Sequence, residues 1–183
     1  MRVIAGSRKS LPLKSVDGMN TRPTTDRVKE TLFNMIGSDL DGCIFLDLFA
    51  GSGGIGIEAL SRGARTCYFV EKNKKAANCI RDNLNFTKLA DRGILQRIDV
   101  KQAIENFSDE LKFDFVFMDP PYHQDLEKDV LTALMKSDNI TPKTQIIVEA
   151  SLDTDFFYVR TLGFEIQKEK KYKTNKHVFL IRR

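Results

Sequence analysis

Four acidic residues in this sequence stand directly at the ends of apolar, β-prone runs. Asp47 follows Ile44-Phe45-Leu46, Glu71 follows residues 66–70, Asp99 follows Ile94 to Ile98, and Asp119 follows Phe113 to Met118. Core packing offers no reason for carboxylates at four successive strand ends. In an open α/β sheet that is where ligands sit. Two of the four have distinctive neighbours. Asp47 opens Asp47-Leu48-Phe49-Ala50-Gly51-Ser52-Gly53-Gly54-Ile55-Gly56, with four glycines in its last six positions. Such a stretch turns tightly and lets a ligand approach backbone that Cβ atoms would shield. It leads into a helix N-terminus, where free N–H groups favour a polar or anionic group. Asp119 opens Asp119-Pro120-Pro121-Tyr122. Two prolines stiffen a loop and fix its carbonyls. The Asp119 carboxylate and the Pro120 carbonyl can accept from an exocyclic amino group, and the Tyr122 ring can stack on a base, typically worth ~1–3 kcal/mol.

The glycine pattern alone is ambiguous. Gly51-x-Gly53-x-x-Gly56 matches the dinucleotide fingerprint, and Glu71 lies about 20 residues on, where a ribose-binding acid is expected. Asp47 points elsewhere. A carboxylate there suits a cation, and S-adenosylmethionine carries an ammonium and a sulfonium where NAD offers a pyrophosphate. A hydride-transfer enzyme also has no evident need for Asp-Pro-Pro-Tyr. Methyl transfer to a planar amino nitrogen does. Acceptors on the amino hydrogens draw lone-pair density back toward nitrogen, and positioning beside an electrophilic methyl supplies much of the catalysis. Neither a metal nor a covalent nucleophile is required. The target base would have to be flipped out or already unstacked. Asp119 suits guanine, whose N1–H and N2–H₂ are adjacent donors that one carboxylate can accept together.

The elements around these residues predict an α/β fold. Strands are expected at 44–48, 66–70, 94–98, 113–118, 145–149, 164–169 and 176–182, with helices to about 62 and near 73–85, 101–107 and 125–136. The result is a doubly wound, mostly parallel, seven-stranded Rossmann-like sheet closed by a C-terminal antiparallel hairpin. Residues 2–5 and 11–14 are expected to pair as a small N-terminal β-hairpin. A turn over 18–23 then leads to a helix capped by Thr24 or Thr25, with Val28, Leu32, Met35 and Ile36 as its buried face. This divides the chain into a basic arm, 1–20, and one catalytic domain, 21–183.

At 183 residues, 42% hydrophobic and 30% charged, the chain can bury one core. No apolar run approaches the ~20 residues that span a bilayer, and the N-terminus has too short an apolar stretch for a signal peptide. Cys43, Cys67 and Cys79 are expected as buried, reduced thiols of a cytoplasmic protein. Charge is unevenly placed. Residues 1–35 carry seven Lys/Arg against three Asp/Glu, and residues 160–183 eight against two, while 36–159 carry fourteen against twenty. Two basic ends around a mildly acidic middle point to a polyanionic partner such as nucleic acid.

These residues together resemble the class I S-adenosylmethionine-dependent methyltransferases that act on planar amino nitrogens. Two N-terminal stretches narrow the likeness: Arg2-Val-Ile-Ala-Gly-Ser-Arg-Lys9, and Thr21-Arg-Pro-Thr-Thr-Asp-Arg-Val-Lys-Glu-Thr-Leu-Phe-Asn-Met-Ile36. With them the chain is similar, over nearly its whole length, to the RsmD-type bacterial 16S ribosomal RNA guanine-N2 methyltransferases. The resemblance implies methylation of one guanine N2 in 16S rRNA, with the 30S subunit or its assembly precursor as partner. It implies that Asp47, Gly51 and Gly53 hold the methionine part of S-adenosylmethionine, with Phe49 also against the cofactor. Glu71 would bind the ribose hydroxyls, and Asp99 would accept from the adenine amino group. Asp119, Pro120, Pro121 and Tyr122 would hold the guanine. Arg22, Thr24 and Thr25 would lie over the site, with Arg8 and Lys9 on the RNA. The enzyme is expected to work as a monomer, in the cytoplasm, without a metal or a membrane.

Other readings of the same residues stay open here. Asp99 can be a plain helix cap. Phe113, Phe115 and Phe117 alternate as a packed strand does. His123 reads as a loop residue and His177 as a strand residue. The basic turn 168–176 can be a solvated hairpin tip. A DNA adenine-N6 methyltransferase would share the site chemistry, although the chain leaves little room for a target-recognition domain. An NAD-binding protein or a non-catalytic nucleic-acid-binding Rossmann module would share the fold.

Overall fold

The computed structural model describes residues 1–16, 25–37, 39–122 and 124–183. Its strands are β1 (Ile44–Leu48), β2 (Thr66–Val70), β3 (Gly93–Gln96), β4 (Phe115–Met118), β5 (Gln145–Ser151), β6 (Phe164–Lys171) and β7 (Asn175–Arg182). They form one sheet in the order β3-β2-β1-β4-β5-β7-β6. The first five in that order run parallel, and β7 is antiparallel to both β5 and β6. From β1 the chain builds outward through β2 and β3, then returns to β1's other side at β4. The order therefore reverses between β1 and β4, the place where such sheets bind ligands.

Strand periodicity sorts the core into two layers. Phe45, Cys67, Phe69, Phe115, Phe117, Ile147 and Phe179 face one side, with Leu32, Phe33, Ile57, Ile80 and Leu84 packed on them. Those partners come from α1 (Asp26–Ile36), α2 (Gly54–Ser61) and α3 (Lys74–Phe86). Leu46, Leu48, Val116, Met118, Ile146, Val148 and Leu180 face the other side, under Val100, Ile104, Val130, Leu131 and Leu134. These belong to α4 (Val100–Asn106) and α5 (Leu126–Lys136). Central strands buried on both faces read as continuous apolar runs, which makes β1, β2 and β4 legible in the sequence. The three cysteines are free and buried. Among the described residues, no helix is long and apolar enough to cross a membrane.

The structure corrects several sequence expectations. β3 stops at Gln96, because Asp99 leaves the sheet to cap α4. Phe113 precedes β4; its N–H donates to the Asn139 carbonyl, and its ring meets Tyr68 and Phe107 in the opposite layer from Phe115. The buried face of α1 is Lys29, Leu32, Phe33 and Ile36, while Val28 and Met35 are half-buried. Periodicity alone does not anticipate a lysine in that face. It is tolerated there because Glu58, fully buried in α2, lies 3.3 Å away, and the Arg2 carbonyl accepts from its ammonium.

That same Glu58 secures the N-terminal segment. Its carboxylate also accepts from the backbone N–H groups of Ile4 and Ala5 and from Arg62 Nε. The segment pairs with itself as a short antiparallel hairpin: Arg2 bridges Pro12, and the N–H groups of Val3, Ser10 and Leu13 donate to the Leu11, Val3 and Met1 carbonyls. Val3 and Leu13 are buried in the α1–α3 layer. The turn expected over 18–23 lies outside the described residues, as do Arg22, Thr24 and His123.

Candidate active site

The carboxylates of β1 and β2 are tied to the glycine turn. Asp47 is buried beneath it, and its Oδ2 accepts the Gly56 N–H at 2.8 Å. Gly53 is the residue before α2 and has no side chain to cap it, so Asp47 satisfies the free amide from below. Burial pushes the Asp47 carboxyl up to about 7; the Gly56 N–H opposes that rise and the Glu71 charge adds to it. Gly53 itself has φ 79°, a left-handed conformation that side chains resist. A Cβ on Gly56 would lie 2.3 Å from the Phe69 ring and 2.6 Å from Cys67 Sγ, so glycine there lets α2 press onto β2. Phe49 also has a positive φ, 58°, a strain of about 1–3 kcal/mol that clusters at functional sites in proteins.

Glu71 uses both oxygens. Oε2 accepts from Gly51 N–H at 2.9 Å and Oε1 from Asn73 N–H at 2.7 Å. Asp99 caps α4 through Lys101 N–H at 3.0 Å and remains half-exposed, with Lys72 at 3.9 Å. Asn83 ties the far side of the turn: its Nδ2 donates to the Ser52 and Lys14 carbonyls, and its Oδ1 accepts from Lys14 N–H. Thus Gly51 and Gly56 give their amides to carboxylates, and Gly53 gives its amide to the Ala50 carbonyl. A pyrophosphate would meet two carboxylates and three glycine amides already bonded. A ligand with a cation and hydroxyl donors matches this set. The buried Gln96 Oε1, at the end of β3, is an acceptor without a hydrogen-bond partner on the same rim.

Across the switch point, β4 lies beside β1 with Leu48 opposite Met118, so Asp119 emerges next to the glycine turn. Pro120 is buried; Pro121 and Tyr122 are exposed. Asp119 is half-buried, and its carboxyl sits well above the usual range, first through burial and then through the charges of Glu149 and Asp47. The Tyr122 hydroxyl donates to Glu149 Oε1 at 3.4 Å. Glu149, 5% exposed on β5, also accepts from Asn175 Nδ2 at 2.6 Å and meets His177 Nε2 at 3.0 Å. The other ring nitrogen of His177 meets the Tyr172 hydroxyl at 3.1 Å.

Sequence reasoning passes over Glu149, Asn175 and His177. Glu149 carries the same signal as the other four acids, a carboxylate closing an apolar run. Asn175 and His177 carry none, since only the antiparallel pairing of β7 on β5 sets them against Glu149. Of the residues expected near the substrate, Thr25 caps α1, its hydroxyl accepting from Val28 N–H. Arg8 and Lys9 are not brought to the strand ends. The Arg8 N–H donates to Ser61, the last residue of α2, and that helix is roughly 12 Å long at 1.5 Å per residue.

The family model described as conserved hypothetical protein 95 matches residues 1–181 of this chain. A Bacillus subtilis protein provisionally named an rRNA methyltransferase is 48% identical over 135 residues, 73% of each chain. A Haemophilus influenzae protein named ribosomal RNA small subunit methyltransferase D is 36% identical over 157 residues, covering 84% of this chain and 80% of its own. A solved structure from Escherichia coli, provisionally named a methyltransferase, superposes with a TM-score of 0.88 at 28% identity, covering 100% of this chain and 97% of that one.

Proposed function

This chain belongs to the family described as conserved hypothetical protein 95, the RsmD-type ribosomal RNA methyltransferases, and we propose that it methylates the exocyclic N2 of one guanine in 16S rRNA, using S-adenosylmethionine. The observation that carries this reading is the adjacency of two differently built strand ends. The carboxylate-bound glycine turn follows β1, and Asp119-Pro120-Pro121-Tyr122 follows β4, its direct neighbour in the sheet.

The residues present fit the cofactor. Glu71, fixed by two backbone amides, keeps lone pairs for a ribose diol. Asp99 spends one oxygen on its helix; the other, with Lys72 at 3.9 Å, would accept from an adenine amino group. Asp47, Phe49, Gly51 and Gly53 would hold the methionine part. When bound, S-adenosylmethionine supplies a methyl carbon made electrophilic by its sulfonium.

The chain's own groups do the rest. Asp119 accepts from guanine N2–H and N1–H, and the Pro120 carbonyl accepts from the second amino hydrogen. Both interactions keep the nitrogen lone pair available. Tyr122 stacks on the base, which must be out of its helix to arrive there. The partner is the 30S subunit or its precursor, in the cytoplasm. Arg22, Thr24 and Thr25 are the groups we assign to the RNA around the target base. Arg8 and Lys9, in the arm 1–20 ahead of the catalytic domain 21–183, contact more distant phosphates.

The test is incubation with radiolabelled S-adenosylmethionine and 30S particles from cells lacking this gene, followed by nucleoside analysis. Label is expected in N2-methylguanosine of 16S rRNA. Label in another nucleoside, in duplex DNA, or nowhere would refute the assignment.

A further inference from the structure

Glu149 is a fifth carboxylate that follows an apolar run, inside β5 rather than at its end, and none of the roles above uses it. Its placement is specific. β5 runs parallel to β4 with Val148 opposite Met118, so Asp119 leaves β4 at the level where Glu149 stands in β5. From the other side, β7 sets His177 opposite Glu149. Asn175 and His177 occupy both Glu149 oxygens, at 2.6 and 3.0 Å, and all three residues are buried. The Tyr172 hydroxyl at His177 Nδ1 fixes the ring: with the phenol donating, Nδ1 accepts and Nε2–H faces Glu149. Burial, then the Glu149 charge, pushes the Tyr172 phenol up to about 12, so it keeps the proton it donates. The Phe117 ring closes against His177 edge to face. This cluster contributes to folding, but an apolar set would pack these strands without burying a carboxylate.

We propose that Glu149 is a positioning residue for methyl transfer: clamped by Asn175 and His177, it holds Tyr122 by its hydroxyl and, as a second carboxylate beside Asp119, fits Asp119 to take the proton released by the amino nitrogen. The inference rests on Asp119 to Tyr122 receiving the target base. Forming the new N–C bond uses the amino lone pair, the methyl's former bonding pair departs with the thioether, and the nitrogen is left with a surplus proton. The Asp119 carboxylate takes that proton and releases it to water. A lone exposed aspartate is a poor base for this. Like charge nearby strengthens it. The groups facing Asp119 are Asp47 from β1, Glu149 from β5 and Tyr122 from its own loop. Asp47 is bonded to the Gly56 amide, and Glu149 is the carboxylate bonded to the Tyr122 hydroxyl.

The experiment is carboxyl carbon NMR on the full chain, labelled at Asp and Glu, without RNA. In the wild type Asp119 should titrate above the ordinary carboxylate range. Glu149→Gln should move the Asp119 titration down. The acid limb of kcat/KM on unmethylated 30S particles should move down with it, and single-turnover transfer should fall roughly 10–100-fold, within the range of proton-transfer catalysis. Tyr122→Phe should leave the Asp119 titration in place. Cofactor binding by calorimetry verifies that each variant is folded. An Asp119 titration unchanged by Glu149→Gln, or moved as far by Tyr122→Phe, would overturn the proposal. So would an Asp119 that titrates in the ordinary carboxylate range in the wild type, a result that needs no variant to fold. Failure of the functional reading looks different: Asp119→Ala would still transfer methyl groups, whatever the titration showed.

Discussion

The two halves of the site use carboxylates in opposite ways. On the β1–β2 side, Asp47, Glu71 and Asp99 accept from backbone amides, at Gly56, at Gly51 and Asn73, and at Lys101. Those acids shape the main chain, and the ligand meets a turn already set. On the β4–β5 side, Glu149 accepts from the side chains of Asn175 and Tyr122 and is paired with His177, and Asp119 stands beside it. Those acids shape one another's charge. The first arrangement suits a ligand bound the same way at every turnover. The second suits a group whose charge changes during the reaction. The contrast predicts that variants on the two sides fail differently.

The largest effect should come from Asp119→Ala. Transfer to 30S particles should fall by about 10²–10⁴-fold, the usual weight of a positioned acid–base group, while cofactor affinity by calorimetry stays within a few-fold. A matching loss of cofactor affinity would erase the distinction between the halves. Glu71→Ala should do the reverse. Losing charge-assisted bonds of about 1.5–3 kcal/mol predicts a roughly 10- to 100-fold weaker Kd for S-adenosylmethionine. An unchanged Kd would remove Glu71 from the cofactor site.

The same contrast decides how much can be read from sequence. The β1–β2 half is local: Asp47 and Gly56 are nine residues apart, and Gly51 and Glu71 twenty. Strand, turn and helix signals bring them together without knowledge of the sheet order. Asp119-Pro120-Pro121-Tyr122 is equally legible, being contiguous. The Glu149 cluster is not, because Asn175 and His177 lie 26 and 28 residues away on an antiparallel strand. His177 in an apolar run has the pattern of any strand residue. Lys29 escapes the sequence for a related reason. It falls in the apolar period of α1, but its neutralising partner Glu58 comes from another helix. Local periodicity reports burial well and long-range charge pairing poorly.

A smaller, signed effect concerns pH. The Asp47 carboxyl lies near 7 in the folded protein because of burial, against about 3.9 in an unfolded chain. A raised folded value means that its contribution to stability is complete below about 4 and is lost as pH rises through about 7. Asp119, also raised by burial and by neighbouring carboxylates, acts in the same sense. The thermal midpoint of the free protein should therefore decline from pH 5 to pH 8, and less steeply in Asp47→Asn. A cationic ligand favours the ionised form, so cofactor binding near pH 6.5 should release protons. Calorimetry in two buffers of different ionisation enthalpy measures that release. No release in the wild type, or the same release in Asp47→Asn, would move the cation away from Asp47.

The smallest effect should lie outside both halves. Arg8 and Lys9 sit at the end of α2 remote from the glycine turn, so they cannot touch the reacting groups and can act only on an extended partner. Removing a cation that neutralises one phosphate lowers the salt slope of nucleic-acid binding by about one and weakens binding without altering chemistry. Arg8 is partly committed, because its N–H holds Ser61, and the variant must keep that backbone. The charge change can still be made at the side chains, since the backbone donor survives any substitution but proline. Arg8→Glu with Lys9→Glu should raise KM for 30S particles several-fold at low salt and little at high salt. Single-turnover rate at saturating particles and cofactor Kd should be unchanged. A loss of rate at saturation would mean that the arm reaches the catalytic centre through Glu58 and α2. An unchanged KM at every salt concentration would leave the arm as packing for α1 and α2 alone.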